Sequence, residues 1–194
     1  MIYLLRHGQT VWNSLGRFQG QQDSPLTWRG ITQARALGEL LHRELPEPAA
    51  YRLVSSPLGR AWQTAAIVAE TLGAAPDDIA REPRLQEVGF GEWEGRTREE
   101  IEAADPGIWV RRAATRWTHR PPGGETYAEV AQRTTAWLDT LAVDAKLIVV
   151  GHGLSGRILR GLYLGLPRDE IFRLDEPQDA LFRLRNGTID RLSA

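Results

Sequence analysis

The sequence predicts an α/β fold: a three-layer sandwich with helices on both faces of a largely parallel central sheet, followed by a C-terminal β-hairpin. Short apolar runs of strand length alternate with longer segments whose apolar residues recur near every 3.6 positions. This alternation is typical of parallel strands joined by crossover helices. Near the C-terminus, Asn186-Gly187 separates two strand-like segments and favours the type I′ turn of a hairpin.

The first half of the chain repeats one unit, a strand followed by a helix. The two predicted strands cover residues 2–5 and 52–55. Thr27 is a suitable N-cap for the first helix, which Pro46 ends. Pro57 suits the first turn of the second helix, and Gly73 suits its C-terminal end. We expect the two strands to lie side by side.

The second half contains one irregular region and one strong strand. The predicted elements are a short strand at 81–85, helices near 97–104, 106–118 and 126–142, a strand at 146–150, a helix after Gly153, and hairpin strands at 180–185 and 188–192. Trp109 and Trp117 are expected to anchor the irregular region, which we expect to cover a substrate over residues 88–125. We assign residues 1–194 to one domain, in keeping with their number.

Composition excludes several classes of protein. The chain has 194 residues, no cysteine and a formal net charge of −1. Without cysteine there is no disulfide framework, thiolate metal site or thiol nucleophile. The balanced charge gives no basic field for nucleic acid, and no apolar run approaches the ~18 residues of a membrane span. Since the N-terminus has no signal-peptide pattern, we expect a cytoplasmic protein without nucleic-acid or membrane partners.

Two of the four histidines occupy equivalent places in the predicted fold. His7 and His152 each follow a predicted parallel strand, and each is followed by a glycine, Gly8 or Gly153. Ligands of open α/β sheets bind beyond the carboxyl ends of the strands. Glycine lets a ligand approach the backbone, and the helices that follow offer free N–H groups to an anion. The pattern indicates an anion site that contains both histidines.

Neighbouring residues indicate which anion binds. Arg6 adjoins His7, and Arg60 opens the helix after the second strand; guanidinium groups bind tetrahedral oxyanions through paired hydrogen bonds. Their charge favours the neutral, nucleophilic form of His7. Asn13 and Gln19 add neutral donors from the first loop. Together these residues predict a site for a phosphate ester.

The same residues lie in blocks that resemble, in order, the motifs of the histidine phosphatase superfamily, also called phosphoglycerate-mutase-like. The blocks are Leu5-Arg6-His7-Gly8-Gln9-Thr10 with Trp12-Asn13, Arg17-Phe18-Gln19-Gly20, Asp23-Ser24-Pro25-Leu26-Thr27, Ser55–Ala61 with Thr64, Leu85-Gln86-Glu87 with Phe90–Gly95, Gly123-Gly124-Glu125 and Val150–Gly153. The resemblance covers residues 4–156. One small departure is Gln9, where the family often carries an acidic residue.

The resemblance implies a role for each site residue. His7 attacks phosphorus and becomes a phosphohistidine, and Glu87 protonates the leaving oxygen and then deprotonates water. The groups that bind the phosphoryl oxygens are Arg6, Asn13, Gln19, Gly20, Arg60, His152 and Gly153. No metal or organic cofactor is implied. The role of Glu125 stays open, with helix capping as one alternative. The family often forms dimers, so a homodimer is one possible assembly, and the sequence leaves the oligomeric state open.

The resemblance covers both phosphatases and mutases, and we expect a phosphomonoesterase that acts on small phosphorylated metabolites. In the family's mutases, arginine and tyrosine stand where this chain has Val88 and Phe90, and the mutases are typically longer. With Trp93, these two residues are expected to form an apolar lid. A cofactor-dependent phosphoglycerate mutase remains the alternative, because three arginines can supply charge near the mouth: Arg98, Arg111 and Arg112.

Other functions fit less well. Gly153-Leu154-Ser155-Gly156 resembles a serine-hydrolase elbow, but Arg157 replaces its last glycine. The only lysine, Lys146, follows alanine, which excludes a P-loop. No set of histidines and carboxylates has the spacing of a metal site. A catalytically inactive protein that binds phosphate esters is the remaining alternative.

Overall fold

The computed structural model describes all 194 residues and contains one six-stranded sheet. The strands are β1 Ile2–Arg6, β2 Arg52–Ser55, β3 Ala80–Arg81, β4 Leu147–Gly151, β5 Ala180–Arg185 and β6 Thr188–Ser193. Their order across the sheet is β3-β2-β4-β1-β5-β6. The first four are parallel, whereas β5 runs antiparallel to β1, and β6 to β5. The predicted fold class is confirmed.

Eight helices surround the sheet. They are α1 Val11–Ser14, α2 Trp28–Glu44, α3 Gly59–Thr71, α4 Arg98–Ala104, α5 Ile108–Ala114, α6 Tyr127–Leu138, α7 Gly153–Tyr163 and α8 Arg168–Ile171. Short 3₁₀ turns cover Pro48–Ala50, Pro76–Asp78, Pro83–Leu85 and Gly91–Trp93. None of the helices has the length and apolar character needed to cross a membrane.

Alternation along the strands produces the three layers, because successive side chains of a strand point to opposite faces. Tyr3 and Leu5 of β1 pack with α2 and α3 in one apolar cluster. Ile2 and Leu4 pack in a second cluster on the other face, together with Trp137 of α6 and Leu159 of α7. Both faces are therefore covered by helices.

Two helix starts show how caps determine the boundaries. Thr27 accepts a hydrogen bond at Oγ1 from the Gly30 N–H, 3.1 Å away, and so caps α2 as predicted. The helix α3 begins at Gly59 rather than at Pro57. Its first N–H groups are bound by a distant side chain, Asp23, whose carboxylate accepts from Gly59 at 2.6 Å and Arg60 at 3.2 Å. Pro57 therefore lies in the turn before the helix.

Three further expectations are wrong in detail. The strand β4 lies between β1 and β2, so the first two strands of the chain are not neighbours. The segment predicted as a strand at 81–85 holds only the end of β3 and the turn Pro83–Leu85, because proline there lacks the N–H that a ladder needs. The helices predicted at 106–118 and 126–142 are shorter, Ile108–Ala114 and Tyr127–Leu138.

Residues 88–125 contribute side chains to a third apolar cluster. The cluster also includes Ile158 of α7 and Ile171 of α8. Val88, Phe90 and Trp93 lie in this cluster and are 0%, 4% and 5% exposed. The expectation that they form an apolar lid is therefore wrong. These side chains attach the segment to the helices beneath it and leave little apolar surface for a substrate.

Candidate active site

The two predicted site histidines lie together at the carboxyl ends of adjacent parallel strands. His7 follows β1 and His152 follows β4, and the register pairs Arg6 with Gly151. Their ring centroids are 5.2 Å apart in an edge-to-face arrangement, and each residue is only 2% exposed. The topology thus places them where open α/β sheets bind ligands.

Contacts on both ring nitrogens define the tautomer of His7. Its Nδ1 lies 2.7 Å from the Gly8 carbonyl oxygen, which can only accept, so Nδ1 carries the proton. The Nε–H of Arg60 donates to Nε2 at 3.2 Å, which requires a lone pair there. Nε2 is therefore the ring nitrogen that carries the lone pair, and it faces the arginine.

Burial and positive charge keep both rings neutral. Burial is the largest cause that lowers the pKa of His7 well below its usual value, and Arg60 and Arg6 lower it further. The pKa of His152 is also well below its usual value, first through burial and then through Arg60. A neutral imidazole has the lone pair that nucleophilic attack on phosphorus needs.

His152 is held by Ser56, whose hydroxyl lies 2.7 Å from Nε2. The other ring nitrogen, Nδ1, is buried and has no hydrogen-bond partner. Buried polar atoms are rarely left without a partner, and exceptions mark functional positions. We infer that Nδ1 is the atom of His152 available to a bound ligand.

Four of the five N–H groups of Arg60 have acceptors in the protein, one of which is His7 Nε2. Arg60 is 1% exposed, and its two terminal nitrogens donate to the carbonyl oxygens of Gln22 at 2.6 Å and Gly20 at 2.7 Å and to the Asp23 carboxylate at 2.9 Å. Arg60, which the sequence predicts to bind phosphate, is thus held in one orientation toward His7. Gly20 contributes through its carbonyl, with a positive φ of 56°.

Arg6 is held by the segment that follows α8. Its NH1 donates to the Glu176 carbonyl oxygen at 2.5 Å, and its Nε is buried without a partner. The Glu176 carboxylate pairs with Arg157 at 2.7 Å, and burial raises the pKa of Glu176. Gly153 packs closely here: a Cβ would come within 2.8 Å of Glu176 Oε2, so a larger residue would have to displace the end of that side chain.

Glu87 is bound to the start of α7. Its carboxylate accepts from the N–H groups of Ser155 at 2.8 Å, Leu154 at 3.1 Å and Val88 at 3.0 Å. The N-terminal N–H groups of a helix favour a negative group. Since His152 immediately precedes α7, these contacts bring Glu87 to the same strand end as the two histidines.

The two neutral donors of the first loop differ in their surroundings. Asn13 forms a capping box with Thr10 at the start of α1. Gln19 is 7% exposed, and its Oε1 is buried without a partner. Both belong to the segment between β1 and α2 that also supplies Gly20 to Arg60.

Glu125 does not cap α6, because Thr126 does so through a capping box with Glu129. The Glu125 carboxylate instead accepts from the Gly89 N–H at 2.8 Å and from Gln21 Nε2 at 3.1 Å, and it pairs with Arg133. Arg133 also donates to the Glu87 carbonyl at 3.0 Å. The pair thereby supports the loop that carries Glu87.

The three arginines that could supply charge near the mouth of the site contact other groups within the 88–125 segment and α6. Arg111 forms an ion pair with Asp105 at 2.5 Å. The Arg98 guanidinium carbon lies 4.3 Å from the centroid of the Trp109 ring. Arg112 donates to the Tyr127 hydroxyl and lies over that ring at 5.2 Å. These contacts use the arginines to pack the 88–125 segment.

The contacts of several residues of the site could not be predicted from the sequence. Ser56 and Asp23 lie within quoted motifs, but nothing in the pattern assigned them a contact. Glu176 and Gln178 lie outside every motif, and only the fold brings them to β1; Gln178 donates to the His7 carbonyl at 3.1 Å. A polar residue in an irregular segment far along the chain gives no periodic signal.

The arrangement combines two neutral imidazoles, the guanidinium groups of Arg6 and Arg60, and the carboxyl group of Glu87. These are the groups that phosphoryl transfer needs: a nucleophile, charges that bind the equatorial oxygens, and a proton donor. No cluster of three or more His, Asp or Glu side chains suited to a metal ion is present.

Comparison with known proteins identifies the family. The model of the histidine phosphatase superfamily (branch 1) matches residues 2–186. The chain is 36% identical to the probable phosphoglycerate mutase GpmB of Erwinia tasmaniensis, over 98% of this chain and 83% of that protein.

Solved structures of phosphatases share the fold of this chain. The alpha-ribazole phosphatase from Shigella flexneri superposes with a TM-score of 0.81 at 25% identity and covers 99% of this chain and 94% of its own. A mycobacterial glucosyl-3-phosphoglycerate phosphatase gives a TM-score of 0.80 at 30% identity, with 99% and 96% covered. Members of the family are phosphatases or mutases, which supports an enzyme. The chain belongs to branch 1 of the histidine phosphatase superfamily.

Proposed function

We propose that the protein is a phosphomonoesterase that hydrolyses small phosphorylated metabolites through a phosphohistidine on His7. One observation carries this proposal: the unprotonated Nε2 of His7 faces the Arg60 guanidinium at 3.2 Å inside a buried site. A phosphate that binds here replaces the Nε2 lone pair as acceptor of the Arg60 Nε–H. That exchange frees the nucleophile and neutralises charge on the phosphate at the same moment.

The reaction then proceeds in two displacements. His7 Nε2 forms a bond to phosphorus while the ester P–O bond breaks, and the leaving oxygen takes a proton from Glu87. Water next attacks the phosphohistidine and gives a proton to the Glu87 carboxylate, while the P–N bond breaks and His7 recovers its lone pair. Arg6, Arg60 and His152, with Asn13, Gln19, Gly20 and Gly153, bind the phosphoryl oxygens.

The contacts of three arginines in the 88–125 segment favour hydrolysis over isomerisation, because these arginines are occupied by other groups of the protein. A mutase must retain a bisphosphorylated intermediate, which calls for cations above the site. Arg98, Arg111 and Arg112 are instead bound to aromatic rings and to Asp105. Mutase activity is the second candidate, because the relative at 36% identity is named a probable phosphoglycerate mutase.

The nucleophile is tested by trapping. Brief incubation with ³²P-labelled substrate should give an acid-labile, base-stable phosphoprotein that His7→Ala does not form. The His7→Ala variant should lose turnover while keeping the native circular dichroism spectrum. His42→Ala, on the exposed face of α2, is the matched control and should keep full activity. Turnover by His7→Ala would refute the mechanism, and activity is expected to persist in excess EDTA.

The two candidate activities are separated with 3-phosphoglycerate. We expect release of inorganic phosphate with little 2-phosphoglycerate, and no requirement for 2,3-bisphosphoglycerate. If isomerisation exceeds phosphate release by more than tenfold, the protein is a mutase. That outcome would leave the proposed role of His7 intact, because both activities begin with its phosphorylation.

A further inference from the structure

A segment without regular structure joins the C-terminal part of the chain to the candidate site. We call residues 175–178 the C-terminal strap; it lies between α8 and β5. Its Glu176 carbonyl accepts from Arg6 at 2.5 Å, and its Gln178 side chain reaches the loop after β1. The strap thus contacts residues on both sides of His7.

The Gln178 amide uses both of its N–H groups on this loop. Nε2 lies 3.1 Å from the His7 carbonyl oxygen and 3.2 Å from Asn13 Oδ1. A carbonyl oxygen can only accept, so the nitrogen of Gln178 is the atom that faces the loop. An amide has two N–H hydrogens, and the two acceptors account for both.

These contacts also decide which way the Asn13 amide points. Asn13 Oδ1 accepts from the Thr10 N–H at 3.2 Å as well as from Gln178. Two donors saturate the two lone pairs of that oxygen. The Asn13 nitrogen therefore occupies the other position, where its N–H groups have no acceptor in the protein.

We propose that Gln178 is a positioning residue that holds Asn13 with its Nδ2 group toward the substrate phosphate. The inference rests on the proposed function, in which Asn13 binds a phosphoryl oxygen. An anion can use an N–H donor but is repelled by an amide oxygen, so the orientation of Asn13 determines whether it binds or opposes phosphate. Thr10 alone supplies one of the two donors, and Gln178 supplies the second.

The test is a double-mutant cycle read by the affinity for inorganic phosphate, measured by calorimetry. Gln178→Met removes the donor at similar size and without adding charge. Loss of a hydrogen bond to a charged group is worth roughly tenfold or more in affinity. We expect Gln178→Met to weaken phosphate binding by about tenfold, and to raise the KM for p-nitrophenyl phosphate similarly with kcat changed less than about twofold.

In the Asn13→Ala background, Gln178→Met should change phosphate affinity by less than about twofold, because the group that it orients is gone. Gln132→Met, the same change on the exposed side of α6, is the matched control and should have no effect. A merely structural role would lower kcat and the thermal midpoint alike. If Gln178→Met does not fold, Gln178→Asn takes its place, since the shorter amide cannot reach both oxygens.

Two results would overturn the inference: unchanged phosphate affinity in Gln178→Met, or an equal loss with and without Asn13. Failure of the proposed function looks different, because the unaltered protein would then neither bind inorganic phosphate nor hydrolyse p-nitrophenyl phosphate.

Discussion

At the scale of single residues, backbone atoms determine what each side chain of the candidate site can do. The Gly8 carbonyl selects the tautomer of His7, and the N–H groups of Leu154 and Ser155 bind Glu87. Backbone groups cannot change their donor or acceptor character. The chemistry of these side chains therefore follows from the positions of β1, β4 and α7.

Glu87→Gln should slow hydrolysis of alkyl phosphates far more than that of p-nitrophenyl phosphate, whose leaving group needs little protonation. General acid catalysis is typically worth ~10²–10⁴-fold, so kcat/KM for an alkyl ester should fall by about that factor. Steady-state kinetics on both esters measures the difference. Glu92→Gln, an exposed carboxylate in the same loop, is the control. Equal losses on both esters would mean that Glu87 has only a structural role.

At the scale of elements, the loop after β1 and the helix α2 approach each other so closely that only glycine fits between them. A Cβ on Gly30 would lie 2.1 Å from the Gln9 carbonyl oxygen, and one on Gly8 would lie 2.2 Å from that of Gly30. Both obstacles are backbone atoms, which cannot rotate away. The contact holds the loop after His7 against the helix that Thr27 caps.

Gly30→Ala should therefore destabilise the protein and displace the loop after His7. Overpacking typically costs about 1–3 kcal/mol, which exceeds the roughly 0.5–1 kcal/mol that alanine gains within a helix. We expect a lower free energy of unfolding in urea and a loss of activity. Gly156→Ala in α7 is the matched control, because its nearest neighbour would be 4.0 Å away. Equal stability of the two variants would contradict this explanation.

Elements with a local signal are predictable from the sequence, and those that depend on distant partners are not. Thr27 and the Asn186-Gly187 turn act within a few residues, and both are confirmed; Asn186 and Gly187 have φ values of 49° and 74°. The start of α3 depends on Asp23, 36 residues before Gly59. Likewise, the burial of Val88 and its neighbours depends on α7 and α8, which no pattern in their own loop reveals.

At the scale of the whole molecule, two neutral histidines buried at the centre link the folded state to pH. The pKa values of His7 and His152 lie well below 6.5 in the folded protein. Below about pH 6.5, the unfolded chain therefore binds protons that the folded protein excludes. The contribution of these neutral histidines to the free energy of unfolding is complete above the pKa that histidine has in the unfolded chain. It is lost progressively as the pH falls toward the pKa values that the two histidines have in the folded protein.

Each such histidine should lower the free energy of unfolding by about 1.4 kcal/mol per pH unit in this window. We expect urea unfolding of the native protein to show a steep fall between about pH 6 and 5, with His7→Asn losing about half of the slope contributed by the pair. His42→Asn, at an exposed position on α2, should keep the full slope. Glu176, whose raised pKa acts in the opposite direction, is present in all three proteins and cancels in the comparison. Parallel pH dependences for the native protein and His7→Asn would show that His7 is not buried in its neutral form.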